Sequence, residues 1–167
     1  MKGALVQMRK GKRGGMYAVI AVVLVAAAVF AVFFRAVQPE KDAHGEAVRL
    51  ARKYAHLRKE DAFYRYSRNQ TFYTVAGTDS GKRKIYVIVS KNGRKINIYN
   101  QKDGISAATA GNMVRRRQNV RKVMNVGMGM RGKTPVWEVT YLNSYGNLCY
   151  DIIAFKNGDV IKTIQNI

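Results

Sequence analysis

The sequence predicts an α+β protein in which a transmembrane helix precedes two lobes, each a helix packed on an antiparallel sheet. Three observations predict this class: a long apolar segment near the N-terminus, a weak internal repeat with an offset of about 64 residues, and alternating apolar segments separated by Asn-Gly turns. The chain has 167 residues, 47% hydrophobic and 10% aromatic, which argues against a disordered protein. Its single cysteine, Cys149, excludes an intramolecular disulfide and a Cys-based zinc finger.

The apolar segment Met16–Phe34 contains no charged, amide or proline residue. As a helix of about 1.5 Å per residue it extends roughly 28 Å, close to the hydrocarbon thickness of a bilayer. Five Lys and Arg residues precede it without any acid, whereas charges of both signs follow it. The positive-inside rule therefore predicts a cytoplasmic basic segment at 1–15, a signal anchor at 16–37 and an extracellular remainder. The segment is longer than the core of a cleaved signal peptide, so we expect it to be retained.

Residues 38–103 and 104–167 are predicted to form the two lobes. In the first, apolar residues recur at helical spacing from Val48 to Leu57. In the second, Ser106 is the expected N-cap of a helix whose small apolar stripe runs from Ala107 to Val114. About four alternating segments follow each helix, and Asn-Gly between apolar runs predicts a tight hairpin. Lobes of about 60 residues bury only about 60% of their unfolded surface, so we expect the two to share an interface.

The alternation also predicts which side chains form the cores. They are Trp137, Val139, Tyr150 and Ile152 in the second lobe, with Tyr73, Val75, Tyr86 and Ile88 in the first. The methionines between Met124 and Met130 are expected to pack in the core, and Cys149 to act as a small buried hydrophobe. Glu138 and Asp151 fall on predicted strands, where they are expected to face solvent as ordinary alternating polar residues.

The residue inventory argues against an enzyme. His44 and His56 are the only histidines, and their spacing of twelve residues is not that of a metal-binding pair on one helix face. There is no motif of a paired general acid and base, and no Gly-rich phosphate loop before a helix. The sequence therefore predicts no catalytic residue, no metal and no cofactor.

Five segments carry a recognisable pattern: YTVAGTDSGK (73–82), IYVIV (85–89), DGIS (103–106), WEVTYLNSYG (137–146) and FKNGDVIKTI (155–164). They resemble the cell wall elongation regulator TseB-like family of Gram-positive bacteria. The resemblance covers the whole chain in layout and residues 71–167 in motif. It implies a cystatin-like, PepSY-type fold in each lobe. It also implies a non-enzymatic role outside the membrane, assisting an elongation-specific penicillin-binding transpeptidase. A PepSY-type inhibitor or chaperone of a peptidase remains an alternative.

Two basic patches have several possible roles. They are Lys82, Arg83 and Lys84, and Arg115, Arg116, Arg117, Arg121 and Lys122. Residues 36–167 hold 24 Lys and Arg against 10 Asp and Glu, and such an excess attracts polyanions. Outside a Gram-positive cell these are teichoic acids and anionic lipid headgroups; the other interpretation is a solvated surface that serves solubility. Nucleic-acid binding, with Tyr64, Tyr66, Phe72 and Tyr73 stacking on bases, is a further alternative that the extracellular topology disfavours.

Overall fold

The computed structural model describes the backbone of residues 11–165 and the side chains of residues 15–31 and 42–165. Its elements are α1 (Gly11–Ala55), β1 (Leu57–Ser67), β2 (Thr71–Asp79), β3 (Lys84–Ser90), β4 (Ile96–Asn100), a 3₁₀ turn (Gln101–Asp103), α2 (Ala107–Arg115), β5 (Val120–Arg131), β6 (Thr134–Asn143), β7 (Leu148–Ala154) and β8 (Val160–Ile164). The strands form two antiparallel sheets, ordered β1-β2-β3-β4 and β5-β6-β7-β8. The predicted α+β class, with a helix before each of two antiparallel sheets, is confirmed.

The chain divides into two compact units, Met1–Asp42 and Ala43–Ile167. In the first unit, the described side chains of residues 15–31 are exposed, the large apolar ones included. Among the described residues, no helix is long and apolar enough to cross a membrane. The predicted cytoplasmic segment lies largely outside the described residues, as do the side chains of residues 32–37 of the predicted anchor. Both assignments stay predictions.

The first lobe consists of the end of α1 and the first sheet, β1–β4. The side chains of Ala47, Leu50 and Ala51 are buried against one face of this sheet, in a cluster that includes Val75 and Val87. These helical residues recur at spacings of three and four, so one apolar stripe covers the sheet. The stripe predicted from the sequence is therefore the surface by which α1 packs.

The helix ends two residues earlier than the periodicity predicts. His56, directly after Ala55, has a φ of 52°, the left-handed conformation that commonly follows the last residue of a helix. Leu57 begins β1 instead of continuing α1, and its side chain is buried in the same cluster. The assignment of Leu57 to the helical pattern is wrong because a strand residue reaches the same core.

The second lobe consists of α2 and the second sheet, β5–β8. Ser106 is the N-cap as predicted, and its Oγ accepts a hydrogen bond from the backbone N–H of Thr109 at 3.0 Å. Ala110 and Val114 of the small-residue stripe are fully buried, in the cluster that contains Trp137. Small side chains let the helix lie close against the sheet.

The two lobes share a core, because the second face of the first sheet packs against the second lobe. Tyr86 and Ile88 belong to the same cluster as Trp137. Sequence alternation in β2 predicts one buried face, yet Thr74 is also fully buried, and its hydroxyl donates to the carbonyl oxygen of Met128 at 2.8 Å. The middle strands of the first sheet are therefore buried on both faces.

Most of the residues predicted for the cores are buried: Trp137, Val139, Ile152, Val75, Tyr86 and Ile88. Tyr73 and Tyr150 are only half-buried. Tyr150 pairs with Thr140, three residues from Trp137, so its side chain lies on the opposite face of the second sheet. The expectation that Tyr150 is a core residue of the second lobe is wrong, since its side chain is only half-buried on that face.

Three of the four sulfur-containing residues predicted to be buried are buried, and one is not. Cys149 is buried and reduced, Met128 is fully buried, and Met130 is 7% exposed. Met124 is 51% exposed, because β5 has a register irregularity between Val123 and Asn125 that takes Met124 out of the alternation.

The sheets fall within the predicted lobe ranges, with β1–β4 inside 38–103 and β5–β8 inside 104–167. Both lobes nevertheless belong to one compact unit, Ala43–Ile167. The boundary between them at residue 103 stays a prediction.

Candidate functional site

An aromatic cluster joins the two lobes. It consists of Tyr64, Tyr86 and Tyr99 from the first sheet with Trp137 and Phe155 from the second lobe. The Trp137 ring lies edge-to-face with Tyr64 at 5.3 Å and with Tyr86 at 5.4 Å between centroids. Burial raises the pKa of Tyr86 to about 12. The cluster is apolar packing, and it fixes one sheet against the other.

Two glycines allow β1 to cross β5 closely. A Cβ at Gly127 would lie 2.3 Å from the carbonyl oxygen of Arg65, and one at Gly129 would lie 2.5 Å from the Tyr66 ring. Both distances are shorter than side-chain carbons tolerate. The alternation of these two glycines along β5 therefore serves the approach of β1 and has no part in phosphate binding.

A buried carboxylate lies beneath the end of β1. Glu138 is 7% exposed, and its Oε2 accepts a hydrogen bond from Nε of Arg68 at 2.5 Å. The guanidinium carbon of Arg68 lies 3.7 Å from the centroid of the Tyr150 ring, a cation–π geometry. Glu138 was expected to face solvent; that expectation is wrong because the end of the first sheet covers this face.

Asp151 is the second carboxylate that the sequence predicts to face solvent, and this prediction is also wrong. Asp151 is fully buried, on the face of the second sheet opposite to Glu138. Its Oδ2 accepts from Nη1 of Arg117 at 2.6 Å and its Oδ1 from the hydroxyl of Thr163 at 2.7 Å. A buried charge requires such partners. Arg117, predicted as part of a polyanion-binding patch, thus has a structural role in neutralising Asp151.

The first predicted patch, Lys82–Lys84, lies at the turn between β2 and β3. Arg83 donates to Asp79 from both its backbone N–H and its Nε, each at 2.8 Å. These bonds, the backbone one first, lower the pKa of Asp79 below its ordinary value. Lys84 donates to Asp61 at 2.7 Å, and this bond lowers the pKa of Asp61. Two of the three cations are therefore partly neutralised within the lobe.

The second predicted patch follows α2 into β5. Arg115 is the last residue of α2 and donates to Asn112 at 2.8 Å, while Arg116 is the C-cap. Arg116, Arg121 and Lys122 are exposed and have no ion-pair partner among the described residues. This part of the patch remains available to an anionic ligand.

The structure brings together a further set of cations that the sequence analysis missed. An open cleft of about 390 Å³, here called the basic cleft, is lined by Arg68, Lys95, Arg131, Lys162, Asn69, Gln70, Tyr66, Met130, Gly132, Ile152 and Ile164. The four cations are separated by 27 or more residues along the chain and come from both sheets, which is why no charge run signals them. Lys95, Arg131 and Lys162 form no ion pair with any described residue.

The aromatic residues suggested for base stacking are not available for it. Tyr66 and Phe72 are buried at 5% and 4% exposure, Tyr64 belongs to the aromatic cluster, and Tyr73 stacks on Phe63 at 5.9 Å between centroids. A nucleic-acid surface needs exposed aromatic faces, so the structure disfavours that alternative.

The histidines lie apart from any catalytic arrangement. His44 Nε2 lies 2.6 Å from Oε1 of Glu60, and its ring packs edge-on against Phe63. His56 is exposed at the end of α1. Within the described part of the chain, no group of three or more His, Cys, Asp or Glu side chains is placed to hold a metal ion.

The last strand of each sheet, β4 or β8, is an edge strand with one unpaired side. β4 pairs only with β3, and β8 only with β7, among the described strands. Both carry exposed apolar side chains: Ile98 in β4 is 48% exposed, and Val160 and Ile161 in β8 are 42% and 40% exposed. Unpaired edges of this kind can accept a strand from another chain.

Comparison with known proteins agrees with the resemblance seen in the motifs. The family described as "Cell wall elongation regulator TseB-like domain" matches residues 46–90, the end of α1 and β1–β3. Most of this match precedes the five motif segments from which the sequence analysis identified the family. It includes the end of the first-lobe helix.

Two relatives, both from Bacillus subtilis, extend the similarity. The "Probable cell wall elongation regulator TseB" of strain 168 is 29% identical over 146 residues, which are 87% of this chain and 89% of that protein. The solved structure of the YpmB protein is 29% identical with a TM-score of 0.64, and the match covers 73% of this chain and 96% of that one. Residues 46–90 thus match the cell wall elongation regulator TseB-like domain family, and the resemblance predicted from the sequence is confirmed.

Proposed function

We propose that this protein is a non-catalytic regulator of cell wall elongation, anchored in the membrane and acting on a penicillin-binding transpeptidase at the outer face. The observation that carries the proposal is the similarity to a probable cell wall elongation regulator along 87% of the chain. A match of that extent includes both lobes, so the relative's general role applies to the whole fold.

The anchor is part of the proposal. Residues 16–34 have the length and composition of a membrane span, and the basic residues before them favour a cytoplasmic N-terminus. The exposed apolar side chains of α1 from Met16 to Phe30 support it, since such a surface is unfavourable in water. Anchoring would confine the two lobes to the region where membrane-bound synthases work.

Contact with the transpeptidase would use the open edges of β4 and β8. An extended segment of the partner adding to either edge gains backbone hydrogen bonds, and Ile98 or Ile161 beside it supplies apolar contact. The free cations Arg116, Arg121 and Lys122 would orient the lobes toward anionic wall polymers, an attraction that added salt weakens.

In-cell crosslinking tests the partner. A photo-crosslinking amino acid is placed at Ile98 or Ile161, with Tyr54 on the exposed side of α1 as the control position. We expect a transpeptidase to be captured from a strand position and not from Tyr54. Capture of a secreted peptidase alone would instead establish the inhibitor alternative, and no capture from either strand would refute contact through the edges.

Two further measurements test the anchor. A reporter active only in the cytoplasm, fused after residue 167, is expected to be silent. An exported form lacking residues 1–35 is expected to lose its effect on elongation, since it is no longer confined. An active reporter or a fully functional soluble form would each contradict the anchored topology.

A further inference from the structure

We infer that the basic cleft binds an extended peptide that carries acidic side chains at alternate positions, held by Arg68 and aligned along β8. The inference rests on the proposed function for the location of the partner, and it adds the binding surface and the chemistry of the bound segment.

The first observation is an unused donor. Arg68 gives its Nε–H to Glu138 and lays its guanidinium on Tyr150, but its Nη2 is buried without a hydrogen-bond partner in the described part of the chain. A buried donor left unpaired is unfavourable, because it has lost its hydrogen bonds to water. Glu138 and Tyr150 fix the plane of the guanidinium, so the part of the Arg68 side chain that lines the cleft is oriented in advance for an oxyanion.

The second observation is the charge around that donor. Lys95, Arg131 and Lys162 line the same cleft, and no acidic residue of the described chain lines it. Four acidic side chains are paired with Lys or Arg elsewhere, Glu138 is paired with Arg68 itself, and Glu60 contacts His44. The cleft therefore offers three uncompensated positive charges beside a partly satisfied guanidinium, and its complement is a ligand with several negative charges.

The third observation is the open strand that forms one wall. Lys162 and Ile164 of β8 line the cleft, and β8 has no neighbour on its far side among the described strands. A strand added there places every second side chain on the same face as Lys162 and Ile164. Acidic residues two apart along the added strand would thus project toward the cations.

The lining favours a peptide over a phosphate polymer of the wall. Ile164 is half-buried and contributes apolar surface, and the amide side chains of Asn69 and Gln70 can both donate to and accept from a peptide backbone. A glycerol-phosphate chain has no apolar side chains to contact the apolar surface of the cleft. It also has no backbone amides to pair with Asn69 and Gln70. The charges alone would suit either ligand, so the apolar and amide groups distinguish them.

The test uses the full chain in neutral detergent and a blocked, fluorescein-labelled peptide of sequence Thr-Glu-Val-Glu-Val-Glu-Thr. The same peptide with Gln for Glu is the ligand control, and a poly(glycerol phosphate) of equal charge is the competitor. Anisotropy measures binding, and the methyl resonances of Met130, Ile152 and Ile164 report the site. We expect binding of the acidic peptide only, with shifts of these three methyl groups.

Charge-matched variants separate the cleft from general attraction. Arg131→Gln with Lys162→Gln is expected to weaken binding roughly tenfold, whereas Arg52→Gln with Lys53→Gln, at exposed positions of α1, removes the same charge elsewhere and is expected to leave binding unchanged. A third variant, Arg68→Gln with Glu138→Gln, keeps the net charge and removes the oriented guanidinium, so it too is expected to weaken binding.

Each result bears on the inference. Equal losses from the two charge-matched pairs, binding of the Gln peptide, or tighter binding of the glycerol-phosphate polymer at the three methyl groups would overturn it. Crosslinking to a transpeptidase without peptide binding would overturn the cleft and leave the proposed function standing. Peptide binding in the cleft without a captured transpeptidase would support the cleft as a binding site and contradict the proposed function.

Discussion

Truncation of Trp137 tests whether the two lobes fold as one unit. The side chain is fully buried, its ring contacts Tyr64 and Tyr86 of the other lobe, and its Nε1 donates to the carbonyl oxygen of Ile105 at 2.9 Å. Trp137→Ala therefore removes packing on both sides of the interface and leaves a carbonyl without its donor.

The expected cost follows from these contacts. Replacing a buried Trp by Ala typically costs about 3–5 kcal/mol, and each edge-to-face ring pair adds about 0.5–1.5 kcal/mol beyond buried area. We expect a loss of about 5 kcal/mol, which is a large part of the stability of an ordinary domain. For a unit of this size that corresponds to a fall in the melting temperature on the order of 15 °C.

The assay is denaturation of the full chain in detergent, with hydrogen exchange measured separately for β2–β3 and β6–β7. Trp137→Phe is the matched control, because it keeps a ring and loses the N–H; we expect it to cost about 1–2 kcal/mol. Trp137→Ala is expected to speed exchange in both sheets together. Unchanged protection in β2–β3, or a loss below about 1 kcal/mol, would refute the shared core.

Three further substitutions test local features of the fold. Gly127→Ala forces a Cβ against the backbone of β1 and is expected to cost about 1–3 kcal/mol in denaturation; a neutral effect would contradict the close crossing. Because Arg83 lowers the pKa of Asp79, the folded carboxylate stabilises the protein above its unfolded pKa of about 3.9, and that contribution is lost as pH falls through the lower folded pKa. Asp79→Asn should thus lower the melting temperature near neutral pH and progressively less below about pH 4; an effect independent of pH would contradict this. Arg68→Gln alone should destabilise more than Arg68→Gln with Glu138→Gln, since it leaves a buried carboxylate unpaired; simple additivity in denaturation would exclude coupling.

The sequence predicted those parts of the fold that depend on local patterns. Ser106 caps α2 because a hydroxyl at that position reaches the backbone N–H three residues on, which is a property of a few adjacent residues. The Asn-Gly turns are likewise local, and Gly93 and Gly158 have a positive φ of 70° and 80°. Asn92 and Asn157 do not, so neither turn is of type I′, in which both central residues have a positive φ.

The errors arise where distant segments meet. Glu138 and Asp151 look like outward polar residues in their own strands, whereas Arg68 and Arg117, 70 and 34 residues away, supply the positive charges beside which they are buried. Thr74 is buried for the same reason, since its strand has a lobe on either side. The alternation of apolar and polar residues along a strand identifies its buried face only when the other face is open to water.

The basic cleft could not be predicted because its charges are single residues in separate turns and strands. Conversely, the dense runs that the sequence singles out are partly used up inside the fold: Arg83 and Lys84 bind acids of their own lobe, and Arg117 neutralises Asp151. The density of basic residues along the chain thus shows where cations are numerous. Whether a given cation can bind a ligand depends on whether a carboxylate of the fold already lies beside it.

Sharing a core also constrains how these lobes can regulate a partner. The basic cleft is lined by the turn after β1 and by β8, so residues from both sheets must keep their relative position for Arg68, Arg131 and Lys162 to face one ligand. The aromatic cluster and the glycine crossing hold that position by apolar packing, which does not depend on pH or salt as the ion pairs do. A ligand that contacts both sheets would therefore bind a surface already formed. Added salt would weaken the attraction of the ligand to the cleft before it weakened the fold.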